Sequence, residues 1–149
     1  MEQPSKSADP SEAAKNEAVS TYKKYWKALE RLYADSHGNP AALKQYAAGA
    51  ALAGATSDAK SMHAKGNIIT GNVAVGTPTV TKVDIDRKIP NAMISSCLDI
   101  TDWTVVDSAT KKAATLPSDR LTRYVVISTV ERWPKGWRVI KDEPQGQKC

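Results

Sequence analysis

Proton transfer is the chemistry for which this chain has the most suitable side chains. A histidine or a carboxylate can accept a proton and a tyrosine can donate one, and His63, Asp99 and Tyr124 are candidates of these types. Each also has a simpler structural interpretation. His63 would cap a helix end. Asp99 lies on a strand face that could point inward, but capping a turn near Thr101 and Asp102 is the plainer role.

The sequence motifs give no catalytic set. No GxSxG, HExxH, P-loop or dinucleotide-binding fingerprint occurs, and two histidines leave little material for a triad or a histidine–zinc site. Asp84 and Asp86 share one face of a predicted strand and could hold a cation. Alternation of polar residues on an exposed strand face explains this pair more simply. We therefore expect no metal and no cofactor.

The two cysteines, Cys97 in a predicted strand and Cys149 at the last position, lack the spacing of a metal or CxxC redox site. Two interpretations remain: unrelated thiols in a reducing cytosol, or a bridge in an oxidising compartment. A bridge would close a loop of about 50 residues, worth roughly 4 kcal/mol on the chain-entropy model. We favour the bridge, because a terminal thiol on a loose tail would be exposed. It indicates an extracytoplasmic location.

The amino-acid composition bounds the size of the domain and the kinds of partner that the protein can bind. The chain has 149 residues, 41% of them hydrophobic, enough for the core of one domain. No run of eighteen apolar residues indicates a membrane span. The net charge is +5, but basic residues are spread along the chain, whereas a nucleic-acid binder concentrates them on one face. We expect a mixed-charge surface and no nucleic-acid partner.

The polar start at Met1 shows no signal peptide, so export would require a targeting segment already removed.

The first part of the chain is predicted to be helical. Residues 1–8 are polar and aperiodic and indicate a flexible tether or an expression remnant, which leaves residues 9–149 as one domain. A long helix starts at Asp9 and Pro10 and stops at Gly38. A shorter helix follows from Asn39 through residue 46, and a third spans about residues 50–64. An apolar stripe on the first helix would face the core and, secondarily, a pocket; it comprises Ala18, Tyr22, Trp26, Leu29 and Tyr33.

After Gly66 the pattern becomes strand-like, with β-branched residues alternating with polar ones. A Gly71–Asn72 turn separates the first two strands, and residues 134–136 form a hairpin turn. The tail from residue 142 to 149 is polar and would be loose without a bridge. Helices followed by strands indicate an α+β fold with an antiparallel sheet. The predicted strands are residues 68–70, 73–75, 79–86, 92–100, 103–106, 120–133 and 137–141.

The order of these elements resembles the cone of nuclear transport factor 2-like domains. More closely, the chain is similar to exported actinobacterial proteins, often lipoproteins, of unassigned function. The likeness covers about residues 13–149. The phrases that carry it are Leu43 to Ala47, Lys65-Gly66, Gly76 to Asp84, Cys97-Leu98-Asp99 followed by Trp103, Trp137-Arg138-Val139, and the final cysteine.

This resemblance implies a cone-shaped domain, a curved sheet under one long and two short helices, and a pocket between them. It also implies the Cys97–Cys149 bridge and a tether to the outer face of the membrane through a lipidated cysteine upstream. Some cone-fold relatives are isomerases, dehydratases, hydrolases or cyclases whose pockets set a carboxylate or histidine against tyrosine. Our candidates for pocket residues are Tyr22, Trp26, Tyr33, Asp99 and Tyr124, with Tyr25 and His63 as further titratable groups.

Three functions follow as hypotheses. The first is an extracytoplasmic, membrane-tethered, non-enzymatic binding or assembly module for a small apolar ligand or a protein partner at the cell envelope. A protein could dock through Trp103, Trp133 or Trp137, and a dimer is compatible with the sequence. The second is a cone-fold isomerase or hydrolase for a hydrophobic substrate, which would require a buried carboxylate or histidine with a shifted pKa. The third is an assembly domain of a secretion apparatus.

Overall fold

The long helix forms as its capping residues predict. The computed structural model describes residues 9–149, so the predicted tether at residues 1–8 lies outside the described residues. Helix α1 spans Pro10–Ala34, and Asp9 caps it by accepting a hydrogen bond from the Ser11 amide at 3.0 Å. The helix ends four residues before Gly38, which has a left-handed φ of +60°. Its buried face follows three- and four-residue spacing and comprises Ala14, Ala18, Tyr22, Tyr25, Trp26, Ala28, Leu29 and Leu32.

The predicted second helix is wrong in extent, because only one turn of 3-10 helix forms, at Leu43–Gln45. The backbone beyond it pairs with the last strand instead: the Ala48 amide donates to Val139 O at 3.0 Å, and the Val139 amide donates to Tyr46 O at 2.8 Å. A backbone committed to these bonds cannot continue a helix. Gly49, with φ of +57°, then turns the chain into helix α2, Gly49–Ala64.

The strands form two antiparallel sheets in the described part of the chain. The larger has the order β2-β3-β5-β6 and the smaller pairs β1 with β4. Strand β3 confirms the predicted alternation, with Ala92, Ile94, Ser96 and Leu98 buried. The α+β class is confirmed, with α1 and α2 packed on antiparallel strands. The strand bounds are β1 Asn67–Thr70, β2 Ala74–Asp84, β3 Asn91–Asp99, β4 Thr104–Asp107, β5 Arg123–Trp133 and β6 Gly136–Lys148.

The turn at Gly71 and Asn72 does not join a hairpin. Strand β1 pairs with β4, not with β2, and the turn carries the chain from one sheet to the other. Two carboxylates hold this crossing: Asp102 accepts from the Asn72 amide at 2.9 Å, and Glu30 accepts from the Val73 amide at 2.6 Å. Side chains distant in sequence therefore decide the pairing. Likewise, the strand predicted at residues 103–106 leaves the main ladder, and residues 104–107 form β4 in the smaller sheet.

The polar tail is part of the sheet. Strand β6 continues to Lys148, which pairs with Tyr124, so the tail is ordered strand and β6 is longer than β5. Cys149 is bonded to Cys97 on β3, and their Cα atoms are 5.8 Å apart. The predicted disulfide is confirmed. It ties the last residue of the chain to the middle of the sheet.

Strand β6 contains an irregularity that changes which side chains face the helices. Val139 pairs with Val130 and Lys141 pairs with Thr129, so Ile140 has no partner on β5. An unpaired residue reverses the alternation of faces beyond it. If Ile140 were paired, Lys141 would share the inner face with Val139. Because Ile140 is unpaired, Asp142 lies on that face instead, opposite the fully buried Ser128.

A helix that crosses a membrane needs about 20 predominantly apolar residues. Within residues 9–149 no helix has both the length and the apolar character for this.

The disulfide is expected to stabilise the fold through the loop it closes. Its two cysteines are 52 positions apart, so removing the bond by Cys97→Ser and Cys149→Ser should cost about 4 kcal/mol of unfolding free energy on the chain-entropy model. Urea denaturation of the oxidised protein and of the double variant measures this cost. Amide hydrogen exchange should also quicken at residues 143–148. Equal stability and unchanged exchange would show that the strand holds its place without the bond.

Candidate functional site

A cavity of about 400 Å³ lies between the two helices and the middle of strand β6. Its wall draws on five segments of the chain, and its rim is made of exposed residues such as Gly54, Asp58 and Glu143. Small side chains at the start of α2 leave the space that larger ones would fill. An added Cβ at Gly54 would meet no atom within 4 Å. The cavity is therefore open on the α2 side.

Aromatic rings form most of the apolar wall. Helix α1 contributes Tyr25, Trp26 and Tyr33, the residue before β4 contributes Trp103, and β5 contributes Tyr124. Tyr33 and Trp103 meet edge to face, with centroids 5.8 Å apart and planes at 83°. Tyr25 and Trp26 are similarly crossed, at 5.3 Å and 76°. The rings thus present both faces and edges to the cavity.

Asp142 supplies a partly buried carboxyl group to the cavity wall. Its Oδ1 accepts a hydrogen bond from Ser128 Oγ at 2.6 Å, and its Oδ2 lies 3.4 Å from the Tyr25 hydroxyl, which donates to it. The first partner comes from β5 and the second from α1. One carboxylate therefore links the sheet to the helix at the base of the cavity.

Burial raises the pKa of Asp142 to about 6, against the lowering effect of the hydrogen bonds from Ser128 and Tyr25. The carboxyl group is therefore close to half protonated in mildly acidic solution. Burial also raises the pKa of Tyr25 and of Tyr124, and the negative charge of Asp142 raises both further. The phenols consequently stay neutral in the range where Asp142 titrates.

A second buried polar contact lies deeper in the core. Tyr22 is fully buried, and its hydroxyl is 2.7 Å from the Oγ of Ser96 on β3, with which it shares a hydrogen bond. Burial raises the pKa of this phenol as well. The indole nitrogens of Trp26 and Trp103 are buried and have no hydrogen-bond partner within residues 9–149.

The structure places the five sequence-derived pocket candidates differently. Trp26, Tyr33 and Tyr124 line the cavity, and Tyr22 lies behind the wall in the core. Asp99 does not line this cavity, so our prediction of it as a pocket residue is corrected to the turn cap that the sequence also suggested. Its side chain accepts a hydrogen bond from the Thr101 amide at 2.9 Å and pairs with Arg123 at 3.8 Å. Hydrogen bonds from Thr101 lower its pKa, as expected of an exposed turn cap.

His63, Asp84 at the end of β2, and Asp86 in the turn after it take structural positions. His63 Nε2 donates to the carbonyl oxygen of Tyr33 at 3.2 Å, which fastens the end of α2 to the end of α1. Asp84 accepts the Asp86 amide at 3.0 Å in a turn. No group of three or more potential metal-ligating side chains (histidine, cysteine, aspartate or glutamate) occurs among the residues that the structure describes.

Sequence reasoning missed Asp142 and Trp103 as wall residues. Nothing in the local pattern marks Asp142, because strict alternation from Trp137 and Val139 would point it away from the helices. One feature of the sequence could have indicated that Trp103 leaves the main sheet: it lies in a short segment after Ile100, where the alternating pattern of β3 has ended. Its position nevertheless depends on the pairing of β4 with β1.

The fold and the cavity define an α+β domain in which two helices cover an antiparallel sheet and leave an aromatic-walled cavity at one end. No family model matches the sequence, and no curated protein matches it.

The chain is similar to several solved structures. The intermembrane space region of the chloroplast protein ARC6 has a TM-score of 0.54 at 13% identity, over 90% of this chain and 95% of that one. The putative transfer protein TraH from the Gram-positive conjugative plasmid pIP501 has a TM-score of 0.48 at 8% identity, over 96% and 95%. An NTF2-like protein with a cystatin-like fold from Novosphingobium aromaticivorans has a TM-score of 0.42 at 17% identity, over 96% and 94%. At these identities the first likeness shows a common fold and nothing about activity.

The raised pKa of Asp142 predicts a pH dependence of stability. The folded protein binds this proton more tightly than the unfolded chain does, so the ionised carboxylate lowers stability. This loss is absent below the unfolded pKa of 3.8, grows as the pH rises towards about 6, and is constant above it. Between about pH 4 and about pH 7, Asp142→Asn should therefore gain on the order of 3 kcal/mol relative to the native protein.

Urea denaturation of both proteins across this range provides the measurement. Asp119→Asn is the matched control, because it removes the carboxylate of an exposed aspartate that lies outside the cavity and does not contribute to the raised pKa of Asp142. Its stability difference from the native protein should stay nearly constant with pH. A difference for Asp142→Asn that is equally flat would contradict the buried position of the carboxyl group.

Proposed function

We propose that this domain is a non-enzymatic binding module that holds a small, largely apolar ligand in the cavity between α1, α2 and β6. The observation that carries the proposal is the cavity itself. Its volume of about 400 Å³ lies within the range of small-molecule sites, roughly 300–1,000 Å³. A wall made largely of aromatic and other apolar side chains, with a few polar groups among them, is the usual construction of such sites.

The tryptophans favour a small ligand over docking of a protein on the sheet. Trp137 is buried, and its indole donates to Glu17 at 3.0 Å, so it fastens the sheet to α1. Trp103 lies in the cavity wall. Trp133 alone of the three is well exposed, at 40%. A single exposed ring gives a protein partner little of the aromatic surface that the sequence suggested.

The proposed location is outside the cytoplasm. Its support is the disulfide between Cys97 and Cys149, since such bonds persist in oxidising compartments and are rare in the cytosol. A tether to the outer face of the cell membrane, through a segment upstream of residue 1, belongs to the same proposal. Membership of the exported actinobacterial group and its cone-shaped fold remain predictions on the sequence phrases given above.

One observation favours a second candidate, an isomerase or hydrolase for a hydrophobic substrate. Asp142 combines a carboxyl pKa of about 6 with a neighbouring tyrosine hydroxyl in a cavity, which is the pairing that general acid–base catalysis uses. Both oxygens of the carboxylate are already engaged by protein donors. Because these hydrogen bonds compete with proton transfer to a substrate, we rank the binding function above the catalytic one. The secretion-apparatus hypothesis stays a prediction.

Ligand binding should be visible in the indole signals of the protein. We expect members of a panel of small aromatic and aliphatic compounds, cationic, neutral and anionic, to shift the ¹H–¹⁵N indole resonances of Trp26 and Trp103. The exposed Trp133 should not respond. Gly54→Phe should abolish the shifts, because its ring would occupy open space at the cavity rim.

Ala53→Phe is the matched control for this experiment. It adds the same ring to the preceding residue of α2, which is exposed and lies outside the cavity wall. The control should bind the same compounds as the native protein does. Shifts that survive Gly54→Phe, or a panel without any response at Trp26 and Trp103, would refute a ligand site in the cavity.

A further inference from the structure

The cavity is acidic although the protein is basic. The whole chain carries a net charge of +5, whereas the ionisable wall residues are three carboxylates, Asp58, Asp142 and Glu143, against one ammonium, Lys141. The tyrosines of the wall are neutral. A cleft lined by one sign of charge and closed by low-dielectric walls concentrates the opposite sign inside it. The electrostatic field of the wall therefore selects against anions and favours cations.

The aromatic wall has the same preference. The face of each ring carries a negative partial charge that attracts ammonium groups within about 6 Å of the centroid. Five rings line the cavity, and two pairs of them are crossed, Tyr33 with Trp103 and Tyr25 with Trp26. Recognition of methylated ammonium groups uses arrangements of this kind.

The position of Asp142 adds a directed anchor. A carboxylate offers about four lone-pair sites, and Ser128 and Tyr25 account for two of them. The remaining sites can meet a cation in the cavity that this residue lines. An ionised carboxylate without a counter-charge is costly in a partly buried position, and a bound cation would offset that cost.

We propose that the ligand of the cavity is an organic ammonium compound, its apolar part against the aromatic wall and its positive charge next to Asp142. This inference rests on the proposed binding function and narrows the ligand to one chemical class. The apolar part of such a ligand would pack against the aromatic rings, and its positive charge would be attracted by the excess of carboxylates in the wall. A neutral apolar ligand would leave the carboxylates unexplained.

The test uses two compounds of the same shape that differ in charge, phenyltrimethylammonium and its neutral carbon isostere tert-butylbenzene. Titrations followed by the indole signals of Trp26 and Trp103 should give a dissociation constant at least about tenfold lower for the cation. Added salt should weaken only the cation, because it screens the charges of the rim. Asp142→Asn should remove most of the tenfold preference, and Gly54→Phe should remove binding of both compounds.

The outcomes separate this inference from the proposed function. If tert-butylbenzene binds as tightly as the cation, the inference is overturned while a ligand cavity remains. If neither compound shifts the indole signals, both proposals fail. Should Asp142→Asn not fold, the double variant Asp58→Asn, Glu143→Gln decides the point at two exposed positions. It should reduce the preference for the cation several-fold, and an unchanged preference would contradict the role of the acidic wall.

Discussion

One unpaired residue in a strand governs the arrangement of this domain. Because Ile140 has no partner on β5, the faces of β6 exchange after Val139, and Asp142 points towards the helices instead of Lys141. Burying a carboxyl group there is unfavourable unless donors meet it, and they come from both layers: Ser128 from the sheet and Tyr25 from α1. The chain before α2 pairs with Val139 just ahead of this irregularity, so the helix that forms the cavity rim starts beside the same point. The position of the Asp142 carboxylate and the start of the helix at the cavity rim are thus both set close to the unpaired Ile140.

Elements that depend on local signals were predictable from the sequence. The Asp9 cap and the apolar spacing of α1 determine that helix, and alternation along β3 gives its buried face, Ala92 to Leu98. Features that depend on long-range partners were not. Residues 39–46 read as a helix, but the edge of β6 takes up the backbone at residues 46–48. Strand β1 joins β4, with the crossing held by Glu30 and Asp102. Asp142 is the instructive case, because period-two alternation assigns it to the wrong face and only the register of β6 against β5 reveals its position.

The disulfide connects location with site. Cys149 holds the end of β6 to β3, and the segment of β6 between Asp142 and Pro144 forms one side of the cavity. A polar tail of this composition would gain little from burial, so a covalent restraint is an effective way to keep it in the sheet. The same bond supports the proposed oxidising compartment. One covalent bond thus both supports the proposed extracytoplasmic location and restrains the strand that lines the cavity.

The titration of Asp142 tests most directly whether this residue is a desolvated carboxyl group in the cavity wall. Carbon-13 NMR of the side-chain carboxyl, followed against pH in the native protein, should give a midpoint of about 6. Addition of phenyltrimethylammonium should lower that midpoint, because a nearby cation favours the ionised form. A midpoint near the ordinary value of 3.8, unmoved by the cation, would place the carboxylate in solvent and contradict both the site and its proposed ligand class.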